Sequence, residues 1–321
     1  MQNKKEKIII AGGAGFIGKN LIKKLSKNKQ LEIHIIDWFK NEFTNQETYK
    51  EFKKIFKDQE NIIIHKKDIR DFDSIKDIFK EAKTVIHLAA FISATNSINE
   101  PKECFSTNIS GTINIFEAAR INSVHNVIFA SSAAVYGSMN GKTNESKKTH
   151  PESPYGLSKY IDELIGKMYS ELYSMNIVGL RFSNVWGNMQ HNTGNYAPVI
   201  GRFIKQIQNN ENITIFGDGN QTRDFIHVED VANAIELIMK KIKSQDENNI
   251  FEVFNISTNK ETKIKNIAEM VLKIKKNKEI KIIYEKARKE PKKSIGDNSK
   301  IKKFIDWEPK KILEKGIKEL I

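Results

Sequence analysis

Cysteine is almost missing: Cys104 stands alone among 321 residues. A single thiol excludes a disulfide framework and any metal site built from cysteines, so no metal is expected and the compartment is expected to be reducing, the cytoplasm. Long apolar runs are missing too. None approaches the ~20 residues that cross a bilayer, so no membrane partner is expected. Lys4, Lys5 and Lys7 ahead of Ile8-Ile9-Ile10-Ala11 imitate a signal peptide, but close glycines and new charge at Lys19, Lys23 and Lys24 break the imitation. Arginine is the third scarcity, with 6 Arg against 47 Lys in a chain of net charge +13. Lysine spread over the whole chain reads as a solvated surface, gathered only at Lys286–Lys293 and Lys300–Lys303, and no nucleic-acid partner is expected. Attraction of an anionic substrate stays open. The few arginines are correspondingly informative, above all Arg181, Arg223 and Arg288.

What is present is a rhythm. With 39% hydrophobic side chains the chain can bury a large core, and at ~150 residues per domain it makes two domains or one with an added lobe. Short β-branched runs at Lys7–Ala11, Glu32–Ile36, Asn61–His65, Thr84–Leu88, Asn126–Ala130 and Ile177–Arg181 alternate with amphipathic stretches at Phe16–Leu25, Ser74–Glu81, Pro101–Arg120 and Tyr155–Ser174. Such alternation predicts an α/β fold, a doubly wound parallel sheet covered by helices on both faces. Beyond Gly187 the rhythm loosens into shorter strands (Ile213–Phe216, Phe251–Asn255, Ile280–Tyr284) and helices (Pro198–Ile207, Val231–Ile242, Ile264–Ile274). Residues 1–187 are therefore expected to form a cofactor domain and 188–321 mainly a smaller α/β substrate lobe. Asn188–Asn195 reads as the connecting loop, and the chain is free to cross between lobes near 220–255.

The first strand runs straight into Gly12-Gly13-Ala14-Gly15-Phe16-Ile17-Gly18 and then a helix. Glycines there allow a tight turn and let a pyrophosphate reach free N–H groups at the helix start. Asp37 closes the second strand, where a carboxylate binds an adenosine ribose hydroxyl and repels a 2′-phosphate. This favours NAD over NADP, a preference that Lys40 tempers. Farther on, Tyr155 and Lys159 stand four apart on a helix opened by Ser153-Pro154, so they share one face. A phenol of pKa near ~10 is a poor base at neutral pH, but an adjacent ammonium and a positive nicotinamide ring favour the phenolate. His87 reads as a hydrogen-bonded core residue, and Arg181 as structural.

In chain order, Gly12–Gly18, Asp37, Asp68-Ile69-Arg70-Asp71, Val85–Ala90, Asn108 with Gly111-Thr112, Ser131–Gly137 and Tyr155-x-x-x-Lys159 resemble the extended short-chain dehydrogenases/reductases of the NAD-dependent epimerase/dehydratase family. The likeness spans nearly the whole chain. It implies a Rossmann-type domain with a smaller C-terminal lobe, a nucleotide-diphosphate sugar held between them, and catalysis by Ser132, Tyr155 and Lys159. It assigns the cofactor to Gly12, Gly15, Phe16, Ile17, Gly18, Asp37, Asp68, Ile69, Leu88, Ala89, Ala90, Asn108, Tyr155 and Lys159. On the substrate side it assigns Ser132 to the reacting sugar oxygen, Asn184 in Leu180–Gly187 and Arg223 in Gly217–Phe225 to the diphosphate, Arg288 to a further phosphate contact, and Ser294 to the neighbourhood of the hexose C2 substituent. Ala11, Asn188 and Ser257 stand where the family often has threonine, proline and glycine, and the Arg288–Asp297 interval is one residue short.

Members that eliminate water place a glutamate or an acidic pair just before the Val-Tyr-Gly. Here Ala133-Ala134 stand instead, so hydride removal and return remain and dehydration lacks its acid and base. The expected activity is a 4-epimerase acting on UDP-glucose and UDP-galactose, with the N-acetylated pair admitted if the small Ser294 faces C2. A 4-keto-sugar reductase would use the same residues, and a nucleotide-sensing member without chemistry is the third reading. The stripe Leu157, Ile161, Leu164, Ile165, Met168, Tyr169 and Leu172 is wide enough to face both the sheet and a partner. By the resemblance, that partner is a second copy in a homodimer.

Overall fold

Seven strands, all parallel, form the centre of the computed structural model, which describes residues 4–40, 48–139, 141–190, 198–244, 249–275, 279–287 and 292–321. In chain order they are Glu6–Ala11, Leu31–Asp37, Ile62–Lys66, Thr84–His87, Asn126–Ser132, Asn176–Phe182 and Phe251–Ile256. Counted within this sheet they lie side by side as 3-2-1-4-5-6-7. The order reverses between the first and fourth strands, whose pairing puts Ala11 opposite His87. At such a reversal the helical connections leave toward opposite faces and open a crevice beyond the carboxyl ends of the strands. Both faces are apolar because both are covered. One packs Ile33, Ile35 and Ile128 against Leu21, Ile22, Ile235 and Ile238 of helices Phe16–Leu25 and Val228–Lys243. The other packs Val85, Val127 and Phe129 against Phe116 and Tyr169 of helices Gly111–Ile121 and Pro154–Tyr173.

A separate core gathers Trp186 from strand Asn184–Trp186 and Phe203, Ile204, Ile215, Ile267 and Ile317 from helices Val199–Gln208, Ile264–Lys275 and Leu313–Leu320 and strand Ile213–Phe216. Short pairings tie this second region down: Asn184–Trp186 with Phe225–His227, Ile213–Phe216 with Ile282–Glu285, and Thr222–Arg223 with Thr262–Lys263. Helix Val228–Lys243, strand Phe251–Ile256, Ile301 and Trp307 return to the main sheet. Among the described residues no helix is long and apolar enough to cross a membrane, and no His/Cys/Asp/Glu cluster could hold a metal ion.

Two stretches read as single helices are interrupted. Within Pro101–Arg120, α-helix Pro101–Phe105 passes through a π-turn at Ser106–Ser110 before Gly111–Ile121. Within Ser74–Glu81, one α-turn at Phe72–Ile75, capped by Asp71 accepting from Ser74 N–H, gives way to 3₁₀ geometry at Lys76–Phe79. The π-turn carries the buried Asn108, whose amide accepts from Phe91 N–H at 2.7 Å and donates to Phe91 O at 3.1 Å and to Ser158 Oγ at 2.8 Å. Those three bonds hold one amide against the loop after the fourth strand and against the Tyr155 helix.

Candidate active site

The glycine loop meets the end of the fourth strand where the sheet order reverses. Gly12 has φ +83°, and a Cβ there would stand 2.3 Å from Ala89 N, so backbone touches backbone and only glycine fits. A Cβ on Gly18 would fall 2.3 Å from Gly12 O, which fixes the spacing of the motif. Helix Phe16–Leu25 starts behind Gly15 with no side-chain cap, leaving its first turn to an outside anion. Beside it opens a cavity of about 520 Å³ lined by Gly12, Gly15, Phe16, Ile17, Gly18, Asp37, Asp68, Ile69, Leu88, Ala89 and Ala90. Asp37 is held in place by Ala14 N–H on Oδ2 at 2.9 Å and Phe39 N–H on Oδ1 at 2.8 Å. Its burial pushes the carboxyl up, opposed by those two backbone bonds. Burial alone would raise Asp68 as well, but the Arg70 fork (Nε–Oδ2 2.9 Å, Nη2–Oδ2 2.6 Å) holds it below the usual carboxylate range. Asn108 is not part of this lining: it stands behind it, while its neighbour Thr107 lines the cavity.

A second cavity of about 450 Å³ shares Phe16, Ile17, Leu88, Ala90 and Ile92 with the first and holds Ser132, Tyr155 and Lys159. Ser132 ends the fifth strand, its Oγ accepting from Ala134 N–H at 3.1 Å. Tyr155 and Lys159 come from the helix Pro154–Tyr173, started by proline and capped by Ser153 Oγ on Gly156 N–H at 3.1 Å. Burial pushes the Tyr155 phenol up, opposed by the Lys159 ammonium and a hydrogen bond with Ser132. A hydroxyl, a phenol and an ammonium thus meet in the wall of this second cavity, an arrangement that can pass a proton to or from a hydroxyl bound there.

Asn184 and Arg223 line the same second cavity, along with Phe216, Gln221 and Arg202. Asn184 pairs with Phe225, two residues from Arg223, and its Nδ2 reaches Asp224 O at 3.3 Å. Arg223 donates to Thr222 O at 2.8 Å. The adjoining Asp224 is fully buried and accepts from Thr258 N–H, Thr258 Oγ and Asn259 N–H at 2.7–2.9 Å, fastening the strand that presents the arginine. Ser294 is buried between the Lys293–Met139 bridge and the pairing of Ile295-Gly296 with Lys142-Thr143, and is not among the cavity's lining residues. Arg288 and most of Asn188–Asn195 lie outside the described residues.

Arg181 is structural, as its place at a strand end suggested. It forks onto Glu163 at 2.6 and 2.8 Å and donates to the Tyr136 hydroxyl at 2.8 Å, which in turn donates to Asn255 Oδ1 at 2.8 Å. This braces the turn Ala133–Tyr136 beside Ser132. His87 is buried, with Nε2 3.0 Å from Thr112 Oγ1. Sequence reasoning missed Trp38, over whose ring the Arg70 guanidinium stands at 5.3 Å, and Gln190, which lines both cavities. Trp38 directly follows Asp37 and could have been flagged; nothing around Gln190 marks it.

The family model described as GDP-mannose 4,6 dehydratase matches residues 9–320. A Methanocaldococcus jannaschii relative carrying a provisional UDP-glucose 4-epimerase name is 37% identical over 317 residues, 98% of this chain and 97% of the relative. The UDP-N-acetylglucosamine 4-epimerase of Methanobrevibacter ruminantium, solved with UDP-N-acetylmuramic acid, superposes with TM-score 0.88 at 32% identity, over 99% of this chain and 97% of its own. The UDP-glucuronic acid 4-epimerase of Bacillus cereus, solved with UDP-glucuronic acid and NAD, gives TM-score 0.86 at 28% identity, over 97% and 96%.

Proposed function

Because the chain belongs to the NAD-dependent epimerase/dehydratase family of extended short-chain dehydrogenases/reductases, we propose that it is an NAD-dependent nucleotide-sugar 4-epimerase acting on UDP-hexoses. One observation carries the choice of reaction within a family that also holds dehydratases. Among the described residues, the cavity around Tyr155 is lined by no aspartate or glutamate, and Ala133-Ala134 occupy the turn beside Ser132. Eliminating water across C5 and C6 needs an acid for the leaving hydroxyl and a base for the C5 proton. Epimerisation at C4 needs neither.

The glycine loop, a carboxylate at the second strand end and a long apolar cavity fit a dinucleotide, with Asp37 on the adenosine ribose and the start of helix Phe16–Leu25 on the pyrophosphate. Bound NAD supplies reversible hydride exchange at the sugar C4. Tyr155 takes the C4 hydroxyl proton and later returns it, while Ser132 holds the same oxygen. Lys159 supplies the positive charge beside the phenol. Asn184 and Arg223 hold the diphosphate, where a planar, permanently charged fork suits two phosphate oxygens better than an ammonium does. Held there, the 4-keto hexose can turn over and present its other face. Arg288 and Ser294 keep their proposed places at a phosphate and near C2, and Asn108 acts on the cofactor through the wall it braces.

The test is incubation with UDP- and dTDP-hexoses followed by nucleotide-sugar NMR. Interconversion of C4 epimers with tightly held NAD and no added reductant is the expected result. A 4-keto-6-deoxy product would overturn the reaction, and a requirement for stoichiometric NADH would make the enzyme a 4-keto-sugar reductase.

We also propose a homodimer. On the Tyr155 helix Leu157, Leu164, Met168 and Leu172 are exposed, as are Ile113 and Ile121 of the adjacent helix, while Tyr169 packs inward. An apolar face of this kind is suited to self-pairing about a twofold axis. A monomeric mass by light scattering at micromolar concentration would exclude it.

A further inference from the structure

Behind the catalytic wall lies a second set of polar groups that the reaction does not use. Asp162 sits three residues beyond Lys159 on the same helix, and both are fully enclosed, at 0% and 2% side-chain exposure. Asp162 Oδ2 is 3.1 Å from Lys159 Nζ, whereas Oδ1 has no hydrogen-bond partner. An apolar residue would pack at this position at lower cost, because burying a carboxylate costs several kcal/mol before its partner offsets it. The Thr112 hydroxyl, from helix Gly111–Ile121, is the other polar group that favours the charged form of this carboxylate. Beyond it is His87, with Nε2 3.0 Å from Thr112 Oγ1 and Nδ1 without a partner. Burial, and then the Lys159 charge, push this imidazole down to about 3, so it is neutral. With its proton on Nε2, His87 donates to Thr112.

We propose that Asp162 is a positioning residue for the proton-transfer pair: it anchors Lys159 inside the wall and, as a negative charge behind that ammonium, sets the pH at which Tyr155 becomes a base. The inference rests on the reading of Tyr155 as the base. The surrounding charges show why one carboxylate matters. On the same helix Glu163 is neutralised by the Arg181 fork from the neighbouring strand. The strand Thr84–His87 presents only the neutral His87, helix Gly111–Ile121 only the hydroxyl of Thr112, and helix Pro101–Phe105 the thiol of Cys104, whose charge would act against the phenolate. Lys159 is thus the one cation facing Tyr155 among these groups, and Asp162 is placed to cancel it. In agreement, burial raises the phenol first, Lys159 and Ser132 lower it, and Cys104 and Asp162 raise it again. Burial also pushes Asp162 itself up to about 6, against Lys159 and Thr112, so it is charged at neutral pH and loses its charge as pH falls through that value.

The quantity that moves is the pH at which Tyr155 loses its proton. Removing the negative charge favours that loss. The experiment is kcat/KM for C4 epimerisation against pH in the wild type and Asp162→Asn. The acid-side midpoint should fall by about one pH unit, the scale of one charge about 10 Å away, seven residues along the helix, at an effective dielectric of about 20. A folded Asp162→Asn enzyme with an unmoved midpoint and only a lower plateau would reduce Asp162 to a structural role. If Asp162→Asn does not fold, Thr112→Val removes the hydroxyl that favours the charged carboxylate. Its midpoint should move the same way by less, and an unmoved one overturns the proposal. Failure of the epimerase reading is separate: it shows as wild-type turnover in Tyr155→Phe, whatever Asp162→Asn does.

Discussion

The two walls of the cleft are made of different material. On the cofactor side the closest approaches are backbone: Gly12, Gly15 and Gly18 bring the main chain against the space, and Ala89 closes it just beyond the fourth strand. On the sugar side it is side chains delivered by separate segments, Ser132 from one strand, Tyr155 and Lys159 from a helix, Asn184 and Arg223 from two short strands with different pairing partners. A backbone surface tolerates almost no change of residue at its closest points but carries little chemical identity. A side-chain surface tolerates substitution without loss of fold and decides which reaction and which ligand the cleft accepts. Changes on the sugar wall should therefore alter chemistry with the cofactor still held, and changes on the cofactor wall should cost binding and stability together.

The sharpest break comes from Tyr155→Phe. The ring remains, the proton acceptor is gone, and epimerisation should be abolished to the limit of detection, a loss at or beyond the ~10⁴-fold end of general-base effects, with NAD still bound. Ser132→Ala keeps the base and should cost about 10²-fold in kcat. Single-turnover assays with the nucleotide content measured on the same sample separate the two losses. Wild-type turnover in Tyr155→Phe would remove the base from the mechanism.

The opposite wall is tested by Gly12→Ala. With φ at +83° and a Cβ 2.3 Å from the Ala89 backbone, one methyl group must displace two main-chain segments. About 2–4 kcal/mol of stability and most of the cofactor affinity should go together. Thermal unfolding with and without NAD reads both. Normal affinity in a stable Gly12→Ala protein would show that the contact is not needed.

How legible each wall was in the sequence follows from the same distinction. The glycine loop could be read because sterics leave few residues that fit, and the strand before it and helix after it frame the motif. The sheet was legible because strands covered on both faces become runs such as Ile8-Ile9-Ile10 and Val85-Ile86. The π-turn at Ser106–Ser110 was not, because its cause is tertiary: Asn108 bonds to Phe91, 17 residues earlier, and to Ser158, 50 residues later. Asp162 was hidden within a helical stripe, where a carboxylate beside hydrophobic neighbours reads as the exposed face until packing turns it inward. Arg223 was visible as a motif, but Asp224, which holds its strand, takes its meaning from Thr258 and Asn259 across the chain.

A smaller effect tests whether the sugar wall recognises shape as well as charge. Arg223→Lys keeps the positive charge but loses the planar fork, so KM for the UDP-sugar should rise about tenfold, equivalent to about 1.4 kcal/mol, with kcat little changed. Steady-state kinetics on one UDP-hexose is sufficient. An unchanged KM would mean that the arginine contributes only charge, and the diphosphate would then be positioned mainly by Asn184 and its neighbours.

The smallest expected effect is selective rather than large, and it lies at the margin of the sugar wall. Ser294 is buried at 8% exposure and joins the Met139–Lys293 bridge to the Ile295-Gly296 strand, away from the described lining of the cavity. Met139 packs with Val135 and Tyr136 of the turn that follows Ser132, so a bulky group at 294 can reach the sugar only by displacing that turn or entering beside it. Ser294→Tyr should therefore slow the N-acetylated UDP-hexoses several-fold more than UDP-glucose and UDP-galactose, a difference of about 1 kcal/mol, the scale of a modest steric penalty. Kinetics on both substrate pairs decide it. Equal losses would show that the whole turn beside Ser132 has moved, and no loss on either would place residue 294 outside the reach of C2.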